Sequence, residues 1–162
     1  MGLQMTKRGF LEISRVDQLP DDIEALRLAS VDEGFEFMTR CVREWKSGAQ
    51  RFDGEGEAFF IARIKGELVG IGGLSIDPYD KAERPAGRVR HLYVDEEARG
   101  EGVGSALLQV ILAQAKGQFR SVRLRRAQPS TDRFYQERGF RPVDDDNATH
   151  EIWLSPEQDL VL

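Results

Sequence analysis

Apolar residues recur along this chain with two different periods, and the switches between them mark its elements. Phe10, Leu11, Ile13 and Val16 predict a first strand over about 10–16, closed by Pro20. Asp21-Asp22 then offers a cap for a helix through Ile23, Leu26 and Leu28. After Gly34, Phe35, Met38, Val42 and Trp45 recur at intervals of three and four. That spacing predicts a second helix with one apolar stripe on the core, ending near Ser47-Gly48. Residues 58–64 and 68–76 alternate or run apolar around Lys65-Gly66-Glu67, the signature of an antiparallel hairpin. A charged loop with two prolines follows over 77–87, and the next strand covers about 88–95. Leu107, Leu108, Ile111, Leu112 and Ala115 give a wide apolar face to a helix over about 102–116, stopped by Gly117. A strand over 121–127 precedes a helix that starts at Pro129, with Ser130 or Thr131 as N-cap, and runs through Phe134-Tyr135 to Gly139. Residues 140–143 and 149–154 then flank an acidic turn as a terminal hairpin. This order predicts an α/β domain with a largely antiparallel sheet.

Composition narrows the class. The 162 residues suit one domain spanning 1–162, with about 1–9 expected to be disordered, and no linker-like stretch divides them. With 40% apolar and 31% charged residues the chain reads as an ordinary globular protein. No segment reaches the roughly 18 apolar residues of a membrane span, and Lys7-Arg8 is followed by no secretory apolar stretch, so a cytoplasmic location without a membrane partner is expected. Cys41 is the one cysteine and His91 and His150 the only histidines, so no disulfide and no metal is expected. Cys41 lies beside the apolar stripe of the second helix and reads as a small core side chain. The net charge of −5 conceals an asymmetry: residues 81–141 carry 13 Lys/Arg against 7 Asp/Glu. A positive field there favours a phosphorylated ligand. Nucleic acid is not the expected partner, because the chain is acidic overall and lacks a basic stripe interleaved with aromatics.

The segment 88–104 carries the most specific chemistry. A β-prone run and a short acidic turn lead to Gly100, Gly102 and Gly104, directly before the helix. Glycines admit close backbone approach, and the first helical turn offers unpaired N–H groups and the positive end of its dipole, so this segment should hold phosphate. A Walker loop would need Lys-Ser/Thr after its last glycine, and the dinucleotide fingerprint a glycine at 105; here Gly104 is followed by Ser105-Ala106.

Arg99-x-x-Gly102-x-Gly104 after a strand resembles the acyl-CoA pyrophosphate loop of the GCN5-related N-acetyltransferase (GNAT) superfamily. Phe134-Tyr-Gln-Glu-Arg-Gly-Phe140 is similar to that family's second signature. The resemblance covers about 88–143 and implies the GNAT acyl-CoA N-acyltransferase fold, a mixed, mostly antiparallel sheet flanked by helices. It also implies acetyl-CoA as co-substrate and acetyl transfer by direct attack of an amine. By the same resemblance, Leu92 directs its N–H at the thioester carbonyl and Val94 holds the pantetheine arm. Arg99, Gly100, Gly102, Val103, Gly104 and Ser105 would take the pyrophosphate. Tyr135 would lie near the sulfur and protonate the leaving thiolate. Gln128 replaces the asparagine common after the fifth strand of the family. Arg88 and Arg90 stand where many relatives carry a glutamate or histidine base, so the base is not legible. His91, on the opposite strand face, is expected to be structural, and Glu33 or Asp77 could relay through water. Arg88 and Arg90 share strand parity with Leu92 and are expected to bind an anionic acceptor. The acceptor is expected to be a small-molecule amine, and a homodimer is implied by the family alone. Two other readings stay open: a non-catalytic acyl-CoA sensor or partner module, and a peptide or protein acetyltransferase.

Overall fold

The two longest apolar runs become neighbouring central strands, covered on both faces. The computed structural model describes residues 4–154, and in chain order these form β1 (Gln4–Thr6), β2 (Gly9–Arg15), α1 (Ile23–Asp32), α2 (Phe37–Ser47), β3 (Ala58–Ile64), β4 (Glu67–Ile76) and β5 (Gly87–Val94). There follow α3 (Val103–Ala115), β6 (Ser121–Leu124), α4 (Asp132–Glu137), β7 (Arg141–Asp145) and β8 (Ala148–Trp153), with single 3₁₀ turns at Glu96–Ala98 and Pro129–Thr131. One eight-stranded sheet has the order β1-β2-β3-β4-β5-β6-β8-β7. Every pairing is antiparallel except β5 with β6.

Each face has its own core. Leu107, Leu108 and Ile111 of α3 are essentially fully buried in a cluster with Val69, Leu74 and Val122. On the other face Met38 and Trp45 of α2 pack with Phe52, Phe59, Ile71 and Tyr93. Burying each large apolar side chain contributes about 1.5–3 kcal/mol, so both helix stripes are anchored by transfer energy. Cys41 belongs to the α2 stripe, and burial pushes its thiol up to about 12. The glycines of β4 permit this double packing: a Cβ on Gly72 would come 2.9 Å from Ile111 Cδ1, and one on Gly73 would come 2.7 Å from Phe52 Cε1.

Two features of β5 create the site. First, β5 pairs with β6 only at Gly87–Arg88, against Val122 and Arg123, so the two strands part beyond Val89. Second, β5 carries a bulge, since Gly73 pairs with Arg90 and Ile71 with Tyr93, leaving His91 and Leu92 opposite Gly72 alone. His91 has φ +57, a left-handed conformation that an L-residue adopts only under local constraint.

That bulge overturns the expected parity. Arg90 pairs with Gly73, whose missing Cβ faces Phe52, and its guanidinium lies 3.9 Å from Glu44 of α2. Leu92 instead lies on the α3 side, beside Gly72 and Ile111. Arg90 and Leu92 therefore occupy opposite faces. His91, expected opposite Arg90, shares the α2 face, its ring stacked on Phe37.

Other boundaries moved for local reasons. Residues 4–6, expected to be disordered, form β1 on the edge of β2, while residues 1–3 lie outside the described residues. Asp22 precedes α1 but caps nothing, because its two oxygens take the guanidinium of Arg63 at 2.8 and 2.9 Å. Thr131 does not cap α4 either; its hydroxyl donates to the Gln128 carbonyl at 2.8 Å. β6 ends at Leu124, so residues 125–128 run as an irregular segment past the open edge of β5.

Candidate functional site

The glycine loop folds as a cradle at the start of α3. Gly100 and Gly102 have φ of +82 and +86, which side chains resist, and Gly102 is the N-cap with no side-chain bond. The first intrahelical bond runs from Ala106 N–H to the Gly102 carbonyl at 2.9 Å. The N–H groups of Val103, Gly104 and Ser105 thus point out of the helix end without intrahelical acceptors. They face a cavity of about 500 Å³, and all the residues expected to touch the cofactor line it: Leu92, Val94, Arg99, Gly100, Gly102, Val103, Gly104, Ser105, Gln128 and Tyr135.

Within that wall the cationic roles differ from expectation. Arg99 does not point freely at the cradle. Its guanidinium holds both oxygens of Glu33 at 2.5 and 2.8 Å, and its Nε donates to the Val94 carbonyl at 2.9 Å. The Tyr93 hydroxyl donates to the same carboxylate, so Arg99 ties the loop to the end of α1. The bond from Arg99 also keeps the Glu33 carboxyl below its ordinary range, which makes it a poor proton acceptor. The cavity's other guanidinium, Arg138, was not singled out from the sequence. It lies 3.9 Å over the Phe134 ring, donates to Ser105 Oγ at 3.1 Å and has no carboxylate partner among the described residues. Its position inside the second signature was the available signal.

A second cavity, about 340 Å³, lies between β5 and the 125–127 segment and shares Phe37, Leu92, Ala127, Thr131 and Tyr135 with the first. Arg40, Arg88, Arg90, Arg125 and Arg126 line it. No Asp or Glu lines either cavity among the described residues. Three of the arginines are held from behind: Arg88 lies 3.6 Å from Asp77, Arg90 lies 3.9 Å from Glu44, and Arg126 lies 2.6 Å from Asp132. Asp77 is itself buried between Arg88 and Arg123 rather than facing the cavity. His91 lines this cavity with Nε2 unpartnered, and burial depresses its imidazole to about 3, too low to take a proton near neutrality. A larger hollow of about 730 Å³ beside Trp45 and Arg51 shares no wall residue with either cavity.

Tyr135 stands at the junction. Its ring is buried against Phe134, Phe140 and His150, with centroids 5.1, 5.7 and 5.8 Å away. Its hydroxyl has no hydrogen-bond partner among the described residues, and burial pushes it up to about 12, so it stays protonated.

A family profile describing the acetyltransferase (GNAT) domain matches residues 55–142, the stretch from β3 through the glycine loop to the second signature. The chain belongs to the GNAT acetyltransferase family. Among solved structures, a candidate acetyltransferase from Exiguobacterium sp. 255-15 superposes with a TM-score of 0.80 at 31% identity, over 93% of this chain and 97% of that one. A GNAT-family acetyltransferase from Staphylococcus aureus Mu50 superposes at 0.66 with 18% identity, over 89% and 100%. N-acetylglutamate synthase from Neisseria gonorrhoeae, solved with coenzyme A and N-acetyl-glutamate, gives 0.64 with 18% identity over 89% of this chain and 35% of that one. A comparison with curated proteins finds no match. This GNAT protein is thus an acetyl-CoA-dependent N-acetyltransferase. The cradle fits the co-substrate, because uncapped N–H groups, the positive end of α3 and Arg138 all converge on one cavity and suit a pyrophosphate. No cluster of three or more metal-ligating side chains occurs among the described residues, and no helix there is long and apolar enough to cross a membrane.

Proposed function

We propose that the protein acetylates a small primary amine by direct attack on the thioester, with Tyr135 as general acid and the Leu92 N–H as the donor that polarises the carbonyl. Acetyl-CoA supplies the activated acetyl group; the chain supplies position, charge and one proton. The observation that carries the reading is the unpartnered Tyr135 hydroxyl on the wall common to both cavities.

A departing thiolate needs a proton, and a phenol held at about 12 retains its own until then. Leu92 follows the bulge on the edge where β5 has lost β6. Asp95 N–H bonds to Val69 of β4 at 2.8 Å, so by strand alternation Val94 and Leu92 direct their polar backbone groups to the open side. An N–H aimed at a developing oxyanion is worth roughly 3–4 kcal/mol. The Val103–Ser105 N–H groups and Arg138 would take the pyrophosphate, with Arg99 shaping the loop through Glu33. The second cavity, at about 340 Å³, suits a small acceptor better than a peptide chain.

Release of free thiol from acetyl-CoA with an amine panel tests the reading, with Tyr135→Phe as the decisive variant. Turnover at saturation should fall by about 100-fold while acetyl-CoA affinity, measured by calorimetry, stays within about threefold. Wild-type turnover in that variant would reduce Tyr135 to a packing residue. Binding of acetyl-CoA without thiol release for any amine would favour the sensor reading instead.

A further inference from the structure

We infer that the acceptor is an amine bearing an acidic group, bound in the arginine cavity, and that the uncompensated guanidinium charge there holds its nitrogen as the free amine, replacing a side-chain base. The inference rests on the acetyl-transfer reading and names its substrate class and its means of deprotonation.

Charge balance around the cavity carries it. Five guanidiniums line the wall and, among the described residues, no carboxylate does. The carboxylates of Asp77, Glu44 and Asp132 offset Arg88, Arg90 and Arg126 from behind. Arg40 and Arg125 make no ion pair among the described residues and are exposed at the wall, which leaves a local surplus of positive charge. Deeper in, Arg88 donates to the Asn147 carbonyl at 2.6 Å, and its buried Nη1 lies 3.6 Å from Asp77 Oδ1.

The same charges act on the other end of that ligand. Facing it are Arg40 from α2, Tyr79 from the β4–β5 loop, and Arg88, Arg90 and neutral His91 from β5. Arg125 and Arg126 face it from the segment after β6, and Tyr135 from α4. His91, its imidazole depressed to about 3 by burial, is a poor base near neutrality, and Glu33 is tied to Arg99. Like charges disfavour an ammonium, so the cavity binds the acid group while pushing the nitrogen toward its neutral form. The ammonium gives one proton to solvent. The free nitrogen bonds to the acetyl carbon as the carbon–sulfur bond breaks, the sulfur keeps the electron pair, and Tyr135 protonates it. The amide nitrogen sheds its second proton, which through solvent restores the phenol. Overall, one ammonium and one thioester give one amide, one thiol and one proton.

The test uses glycine, L-aspartate and L-glutamate, each beside its fully amidated form, with free-thiol release as readout. The acidic members should be preferred at least tenfold in kcat/KM, and Arg125→Gln and Arg40→Gln should erase most of that preference. In the pH profile of kcat, the rising limb should lie about one unit below the free amine's own value, and Arg125→Gln should move it back up by roughly half a unit. Equal use of acidic and neutral amines, or a limb that does not move in either variant, overturns the inference while the acetyl-transfer reading stands. A separate arm measures glutarate binding by calorimetry with coenzyme A present. Arginine-dependent glutarate binding without turnover of any amine would keep the anion site and sink the transfer reading; absence of both would sink the two together.

Discussion

The buried imidazole of His91 makes a prediction large enough to measure. Its ring packs against Phe37 and Phe52, is 8% exposed, and is held down to about 3 mainly by burial, with Arg90 and Arg40 adding to the effect. In the unfolded chain the same group titrates near 6.5. Below 6.5 the unfolded state therefore binds a proton that the folded state refuses, and stability falls as pH drops toward about 3. Between pH 7 and pH 5 the loss is about 2 kcal/mol, a figure set almost wholly by the unfolded value. For a chain of this size it corresponds to a fall of about 4–8 °C in Tm. His91→Asn is the informative variant, because asparagine tolerates the left-handed backbone at this position and does not titrate. Its absolute stability will be lower from lost packing, so the quantity to compare is the change in Tm between pH 7 and pH 5. His150 remains in both proteins and cancels. The wild type should lose about 4–8 °C more than the variant over that interval. Equal losses would show that His91 is not held neutral, and the exclusion of this histidine as a base would fall with it.

Gly102→Asp should abolish acetyl-CoA binding by calorimetry in a folded protein: a Cβ there meets Gln4 Nε2 at 2.6 Å, the backbone is left-handed, and the carboxylate repels phosphate. Glu33→Gln should cost about 1 kcal/mol above pH 5. The depressed Glu33 carboxyl contributes only above the unfolded carboxylate value, so the gap between the two proteins should close as pH falls through its folded value, followed by denaturant titration. Cys41, with its thiol pushed up to about 12, should resist iodoacetamide in the native state and react once urea unfolds the chain; rapid native labelling would contradict its burial.

The chain's own pattern revealed what depends on local periodicity. The helix stripe of Met38, Val42 and Trp45, the stop at Gly48 and the hairpin at Lys65-Gly66 follow from neighbours within a few residues, and they stand where expected. The glycine cradle was legible for the same reason, since φ above zero and an uncapped helix start are encoded within five residues. What failed was non-local. Asp22 forgoes its cap for Arg63, 41 residues away. Arg99 is drawn to Glu33, 66 residues away, leaving Arg138 as the cation of that cavity without a carboxylate partner among the described residues. No spacing rule reports which carboxylate will meet which guanidinium once the sheet closes.

The bulge at His91 shows how much of the site hangs on one such event. With regular alternation, Arg88, Arg90 and Leu92 would share a face, and the acceptor's charge partners would crowd the thioester. The extra residue opposite Gly72 separates them instead: Arg90 turns toward α2 while Leu92 packs toward α3. Parting of the strands beyond Val89 then leaves the β5 edge without β6, an arrangement that would be a pairing liability on an ordinary sheet. Here the gap is flanked by two cavities with a common wall at Leu92 and Tyr135, one with the uncapped end of α3, the other with arginines. Deleting His91 would remove the bulge: Arg90 and Leu92, then consecutive, would stay on opposite faces, while the β5 edge beside Leu92 would lose its local distortion. The cradle of α3 would survive that deletion, because its geometry is local. Acetyl-CoA affinity should therefore outlast turnover, which is the separation expected if the bulge serves alignment of the two substrates rather than binding of either.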